Sequence, residues 1–254
     1  MRVLVACEFS GVVRDAFSAL GHDAWSCDLL PTDRPGKHLQ GDVLGFIDRG
    51  WDLMIAHPPC TYLCSSGLHW NTRRPERAEK TEEALRFVRR LLGAPVDRIA
   101  LENPVGCIST RIRKPNQVVQ PWQFGDDASK ATCLWLQGLD CLEPTEIVPP
   151  AGWKMVRHAS DLFPCEMCEE PVCNRCADHF AECACPGPHQ DELEYRRISG
   201  VDFAIERARF RKPVWGNQTP SGQNSLGPSL DRWKKRSLTY RGIAAAMAAQ
   251  WGRV

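Results

Sequence analysis

Short apolar runs alternate with amphipathic stretches through the first 100 residues or so. Arg2–Ala6 is an apolar, β-branched run of the kind a strand buried on both faces shows. Ser10–Leu20 sets Val12, Val13, Ala16, Phe17 and Leu20 at helical spacing, and Gly21 stands where that helix ends. His22–Asp28 reads as a second strand ending in an acid, and Gly41-Asp42-Val43 and then Trp51–Ala56 repeat the pattern. Glu76–Leu92 is an amphipathic helix with Ala84, Leu85, Val88, Leu91 and Leu92 along one side, and Arg98–Glu102 follows as another short strand. Strands alternating with helices predict an α/β fold, a parallel sheet with crossover helices. The pattern breaks after about residue 142, where Pro144, Pro149, Pro150 and Gly152 mark a linker or irregular insertion. Periodicity returns at Thr239–Trp251, a helix preceded by the basic run Arg232-Trp233-Lys234-Lys235-Arg236.

Composition narrows the class. The chain has 254 residues, enough to bury roughly 70–75% of its unfolded surface without disulfides. Hydrophobic residues make up 43% and charged residues 25%, which excludes global disorder and fibrous repeats. Val3–Cys7 and Ile243–Ala249, the most apolar stretches, are far short of the ~20 residues a spanning helix needs. At the amino terminus an acid, Glu8, closes the first apolar run, so it is no signal peptide. The expectation is a soluble, cytoplasmic protein, monomeric and without a membrane partner.

The net charge of +1 conceals two opposed segments. Asp161–Tyr195 carries one base against nine acids, whereas Arg196–Val254 carries twelve bases against three acids. The second attracts a polyanion and the first repels one. A basic tail is also what a solvated helix face looks like, so the charge alone leaves both readings standing.

Thirteen cysteines in a chain expected to stay reduced must be packed thiols, metal ligands or nucleophiles. Six of them, with two histidines, fall in one run: Cys165, Cys168, Cys173, Cys176, His179, Cys183, Cys185 and His189. Two CxxC pairs have the spacing zinc prefers, and eight ligands can fill two tetrahedral sites. The expectation is one or two structural zinc ions, stapling a small target-recognition region or a protein-docking knuckle.

Four features stand at the carboxyl ends of the expected strands, where open α/β sheets bind ligands. Cys7-Glu8-Phe9-Ser10-Gly11 lies between a strand and a helix and offers backbone amides to a polar or anionic ligand. Asp28 ends the second strand, where an acid either accepts hydrogen bonds from a ribose or caps a loop. Asp42, in Gly41-Asp42-Val43, has a similar choice. The most specific is His57-Pro58-Pro59-Cys60-Thr61, followed by Glu102-Asn103-Pro104. Two prolines hold the cysteine on a stiff turn, exposed rather than packed. A thiol beside a carboxylic acid suits covalent addition to a ring that is protonated as it is attacked.

Phe9-Ser10-Gly11, Asp28, Gly41-Asp42-Val43, Pro58-Pro59-Cys60 and Glu102-Asn103-Pro104 occur in the order found in DNA cytosine carbon-5 methyltransferases. Over roughly residues 1–140 and the last helix, the chain resembles the short, phage-encoded branch of that family. The resemblance implies a Rossmann-like sheet, S-adenosylmethionine as cofactor, and double-stranded DNA as partner, with the target cytosine flipped into the pocket. It implies Cys60 as nucleophile toward ring carbon 6 and Glu102 as acid at ring nitrogen 3, with Pro59 and Asn103 shaping the catalytic corner. Glu8, Phe9, Ser10, Gly11, Asp28, Asp42 and Pro58 would line the cofactor pocket. Arg111, Arg113 and Lys130 are candidates for supporting the target base, and Lys234, Lys235 and Arg236 for phosphate.

The implied domains are catalytic (1–142), a zinc-containing target-recognition insertion (143–212), and a basic segment with a helix packing back on the catalytic part (213–254). The acid-Asn-Pro motif replaces the family's commoner acid-Asn-Val. Three alternatives remain open. An exocyclic-amino methyltransferase would place an aromatic after Pro58-Pro59, where this chain has Cys60. A related enzyme could add a different group to the pyrimidine from a modified cofactor. A zinc-containing DNA-binding protein could keep the fold as a relict.

Overall fold

The structure, a computed structural model, describes residues 1–150, 152–155, 197–198, 202–203, 211–219, 224–229 and 232–253. Seven strands make one mixed sheet: β1 (Arg2–Ala6), β2 (Asp23–Asp28), β3 (His38–Gln40), β4 (Leu53–Ala56), β5 (Ile99–Pro104), β6 (Gln117–Val119) and β7 (Thr132–Gln137). They lie in the order β3-β2-β1-β4-β5-β7-β6. The first five are parallel, and β7 runs antiparallel to both its neighbours. The expected all-parallel sheet is therefore corrected. Thr132–Gln137 is a buried apolar run, and such a run carries no sign of its direction.

Alternation along the central strands divides the core into two layers. Leu4, Ala6, Met54, Ile99 and Leu101 pack on one face with Leu85, Val88 and Leu91 of helix α3 (Pro75–Leu92). That helix starts with Pro75 in its first turn, where a missing N–H costs nothing, and stops before Gly93. Val3, Val5, Leu53, Ile55 and Ala100 pack on the other face with Val13 and Phe17 of α1 (Val12–Ala19) and with Ile243, Met247 and Trp251 of the last helix, α6 (Arg241–Trp251). Two single-turn helices, α2 (Ser65–Leu68) and α4 (Ile108–Arg111), lie in the loops after β4 and β5, and α5 (Arg232–Ser237) precedes α6.

β3 is His38–Gln40, not the Gly41-Asp42-Val43 stretch that repeats the strand pattern in sequence. Asp42 instead caps a single 3-10 turn, its Oδ1 accepting the Leu44 N–H at 3.0 Å. The chain reverses within that turn, which leaves Asp42 at the carboxyl end of the sheet.

Two compact units are distinguishable: Met1–Asp126 with Lys130–Glu146 and Ser229–Val254, and Asp127–Ser129 with Ile147–Pro228. Within the second, β8 (Gly152–Met155) pairs antiparallel with β11 (Arg211–Val214), and β9 (Arg197–Ile198) with β10 (Asp202–Phe203). Asn217 there holds both backbone groups of Ser129 at 3.0 Å. The expected zinc ligands, Cys165, Cys168, Cys173, Cys176, His179, Cys183, Cys185 and His189, lie outside the described residues. Among the described residues no helix is long and apolar enough to cross a membrane.

Candidate active site

The strand order reverses between β1 and β4, and the loops that leave their carboxyl ends bound the crevice where such sheets bind ligands. Register carries the chemistry into place. Ala56 pairs with Leu101, so the next residues, His57 and Glu102, stand side by side. His57 Nδ1 lies 3.2 Å from Glu102 Oε2, with the two side chains 9% and 14% exposed. The His57 N–H donates to the Ala6 carbonyl on the other side, at 2.9 Å.

Cys60 is exposed at the end of the Pro58-Pro59 corner. The corner is fixed from β5, because buried Asn103 donates its Nδ2–H to the Pro58 carbonyl at 2.7 Å. The Cys60 carbonyl then accepts from Leu63 and Cys64 at 3.0 and 2.9 Å, closing a turn that leaves the thiol at its tip. Among the described residues four buried side-chain polar atoms lack a partner, and two of them, His57 Nε2 and Asn103 Oδ1, are in this corner. Buried side-chain polar atoms are ordinarily paired, so these two stand out together.

Charge around the corner works against spontaneous ionisation of the thiol. Desolvation, then the neighbouring Cys64 and Glu102, push the Cys60 thiol up, and Lys130 only partly offsets them. Burial also pushes Glu102 toward its neutral form. The His57 hydrogen bond, the Lys130 charge and Thr132 outweigh that, and hold the carboxyl below the usual carboxylate range. Cys60 is therefore a thiol and Glu102 a carboxylate in the free protein at neutral pH. Lys130 faces both; its Nζ donates to the Arg236 carbonyl at 3.2 Å and lies 5.9 Å from the Tyr240 ring.

The second half of the crevice lies at the ends of β1 and β2. Cys7 takes a left-handed conformation (φ 59°), turning the chain sharply out of β1. Glu8 folds back over the first turn of α1 and is 5% exposed. Its carboxylate accepts the Val13 N–H at 2.7 Å, the Arg14 N–H at 3.2 Å and the Ser10 hydroxyl at 3.1 Å. This corrects the expectation that the turn offers its helix amides to a ligand, since the protein's own carboxylate fills that place. Gly11 (φ 70°) tolerates no Cβ, which would meet Arg14 Nη2.

Asp28 accepts the Leu30 N–H at 2.9 Å, so it does cap its own loop. Its charge and that of Asp42 both raise the Cys7 thiol, which places the two acids together around the end of β1. Leu29 and Leu30, directly after Asp28, are 72% and 40% exposed and give that edge an apolar shelf. Phe9 is buried, its ring 5.9 Å from Trp233 and 5.4 Å from Lys234 Nζ.

Not every expected residue converges. Arg111 pairs with Glu82 at 2.8 Å. Arg113 donates to Asn116 and, at 2.9 Å, to the Leu136 carbonyl. Leu136 pairs with Ala100 near the start of β5, so Arg113 sits toward the opposite end of the sheet from Cys60. Lys234 is held by Asp33 at 2.6 Å, whereas Lys235 and Arg236 are exposed.

Other residues at the crevice carry no sequence motif. Arg14 is 1% exposed and donates to Ser26, Thr32 and the Arg34 and Pro35 carbonyls, tying down the loop that follows Asp28. After Cys60, Trp70 lies under Arg73 and Arg74 at 5.7 and 5.1 Å, and Tyr62 under Arg77 and Lys80 at 4.8 and 5.8 Å. The dense Arg content of residues 73–77 is the only hint of this in the sequence.

No family model matches the chain, and no curated protein matches it either. One similar solved structure is an Escherichia coli protein provisionally described as a DNA modification methyltransferase encoded within a prophage. The two are 16% identical, with a TM-score of 0.36, and the match covers 59% of this chain and 52% of that one, so this chain spans about half of its length.

Proposed function

We propose that the protein is a DNA cytosine carbon-5 methyltransferase in which Cys60 is the nucleophile and Glu102 the acid. The observation that carries this is the corner at the ends of β4 and β5. An exposed cysteine on a proline-stiffened turn shares its electrostatic field with a largely buried glutamate one strand away. A carboxyl that donates to ring nitrogen 3 makes carbon 6 electrophilic, and a thiolate adding there makes carbon 5 nucleophilic. The rival reading as an exocyclic-amino methyltransferase needs an aromatic platform at position 60 and has no use for the thiol.

The cofactor pocket is argued from charge. Glu8 already satisfies the Val13 and Arg14 amides, so the place where a pyrophosphate rests in dinucleotide-binding folds is taken by a carboxylate. With Asp28 and Asp42 nearby, the β1–β2 end favours a nucleoside with cationic character and disfavours a dinucleotide. S-adenosylmethionine fits that description and supplies an electrophilic methyl group. Asp28 and Asp42 would hold it, with Phe9 and Pro58 forming apolar walls. Double-stranded DNA is the proposed substrate, met by Lys235 and Arg236 and by the Trp70 and Tyr62 clusters. The cysteine- and histidine-rich run from Cys165 to His189 is proposed to bind one or two structural zinc ions.

The test is covalent capture. With S-adenosylmethionine, DNA carrying 5-fluorocytosine at target positions should form a denaturation-resistant adduct with the wild-type protein and none with Cys60→Ser. Full methylation of ordinary DNA by Cys60→Ser refutes the mechanism.

A further inference from the structure

We propose that His57 positions Glu102 for the proton-transfer step and sets the pH range in which that step runs. The inference rests on the proposed function for its chemical meaning, and on the His57–Glu102 geometry for its physical content. The two side chains are adjacent by strand register, both are largely buried, and Nδ1 stands 3.2 Å from Oε2. A carboxylate only accepts, so Nδ1 carries the hydrogen and donates it. The other ring nitrogen, Nε2, is buried without a partner among the described residues, so Glu102 is the ring's one side-chain hydrogen-bond partner.

The charged and titratable groups facing this pair come from three elements. Cys60 and Cys64 lie on the loop after β4, Cys133 is on β7, and Lys130 precedes β7. From β1 the Ala6 carbonyl takes the His57 backbone N–H. Lys130 and His57 both favour the carboxylate; burial favours the acid. Thr132, at the start of β7, also hydrogen-bonds the Glu102 carboxyl, and His57 is the partner that strand register sets at Oε2.

The step balances as follows. Cys60 first loses its thiol proton to solvent, and Glu102 takes one proton from solvent as the base enters. The sulfur lone pair then forms the bond to ring carbon 6. The carbon 5–carbon 6 π pair moves to carbon 4–carbon 5, and the carbon 4–nitrogen 3 π pair takes the Glu102 proton. Glu102 is left as a carboxylate, stabilised at Oε2 by His57. The carbon 4–carbon 5 pair would then form the bond to the donor's methyl group, whose former bonding pair stays on the donor, while the nitrogen 3 pair restores the carbon 4–nitrogen 3 π bond. Solvent takes the carbon 5 proton, the pair left behind restores the carbon 5–carbon 6 π bond as the carbon 6–sulfur pair returns to Cys60, and nitrogen 3 gives its proton back to Glu102. His57 itself gives up no proton; it acts through Glu102.

The sign follows from what each replacement removes. The competent form has Glu102 protonated and Cys60 ionised, the reverse of the free protein at neutral pH, so kcat/KM is level between the two ionisations, with Glu102 setting the acid limb and Cys60 the alkaline one. His57→Leu removes a group that favours the carboxylate and leaves burial in place, so the acid limb moves to higher pH, by about one unit or more, and the level part of the profile rises. His57→Gln keeps an N–H donor and stays nearer the wild type. The limb set by Cys60 ionisation should stay where it is in all three proteins.

Two readouts test this together. The first is the carboxyl carbon signal of Glu102 in glutamate-labelled protein, assigned by its loss in Glu102→Gln and titrated in wild type, His57→Leu and His57→Gln. The second is the pH profile of kcat/KM for cytosine methylation in the same proteins. A higher Glu102 midpoint in His57→Leu, matched by an equal shift of the acid limb, supports the proposal. An unmoved midpoint overturns it, as does a moved midpoint with an unmoved limb. A moved midpoint in a protein that modifies no cytosine overturns the proposed function and the acid step with it. If the leucine variant does not fold, His57→Ala, which has no donor, takes its place with the same outcomes.

Discussion

Glu8→Ala should destabilise the protein in a way that anions repair. In the wild type the Glu8 carboxylate accepts two backbone N–H groups of the first turn of α1, at 2.7 and 3.2 Å, and is 5% exposed. Hydrogen bonds to a charged group contribute about 1.5–3 kcal/mol each, and burial leaves little water to replace them. Allowing for non-additivity, the variant should lose about 3 kcal/mol. For a chain of this size, Tm should then fall by about 6–12 °C. Glu8→Gln keeps one oxygen as acceptor and loses the charge, so it should fall between the two proteins. The same substitution frees a helix N-terminus, which favours anions. Differential scanning fluorimetry in chloride and in phosphate buffers reads both effects. Phosphate should recover part of the lost Tm in Glu8→Ala and do nothing comparable for the wild type. A loss under about 2 °C, or an equal response of both proteins to phosphate, would refute the claim that Glu8 occupies this end of the helix.

Other consequences are open to measurement. Lys130→Met removes the one side-chain cation that lowers the Cys60 thiol, so alkylation of Cys60 by iodoacetamide, followed peptide by peptide in mass spectra, should slow at neutral pH and catch up at alkaline pH. Equal rates at all pH values would count against Lys130 facing the thiol. Asn103→Ala leaves the Pro58 carbonyl without its donor and should cost about 1–3 kcal/mol by urea unfolding, with a larger loss in methylation than in cofactor affinity. A fall in cofactor affinity alone would place Asn103 elsewhere in the account. The purified protein should carry one or two zinc ions by elemental mass spectrometry and lose them to a strong chelator; a metal-free active protein contradicts the zinc assignment.

Legibility in the sequence followed burial. β1, β4, α1 and α3 have apolar spacing long enough to read, and each lies within a residue or two of its expected place. β3 is three residues long and half-exposed, so its polar His38 and Gln40 gave no strand signal, and the neighbouring Gly41–Val43 imitated one. The antiparallel course of β7 depends on which edge of β5 it meets, a long-range fact absent from its composition.

The corner proposed to be catalytic is legible because Pro-Pro-Cys combines two residues that cannot continue a strand with one that is chemically reactive. His57 opens that motif without a role legible in the sequence, because only the register of β4 with β5 reveals its partner. Arg14 reads as an exposed helical residue, and only the loop it clamps explains its burial. Arg111 and Arg113 looked free because a sequence shows charge without its partner; Glu82 and the Leu136 carbonyl supply the partners.

The most direct measurement is the nucleoside composition of duplex DNA incubated with the protein and isotopically labelled S-adenosylmethionine. The account predicts label in 5-methylcytosine alone, and none when Cys60 is replaced by Ser. Label in an exocyclic N-methyl base, or in 5-methylcytosine made equally well by the serine variant, would contradict it.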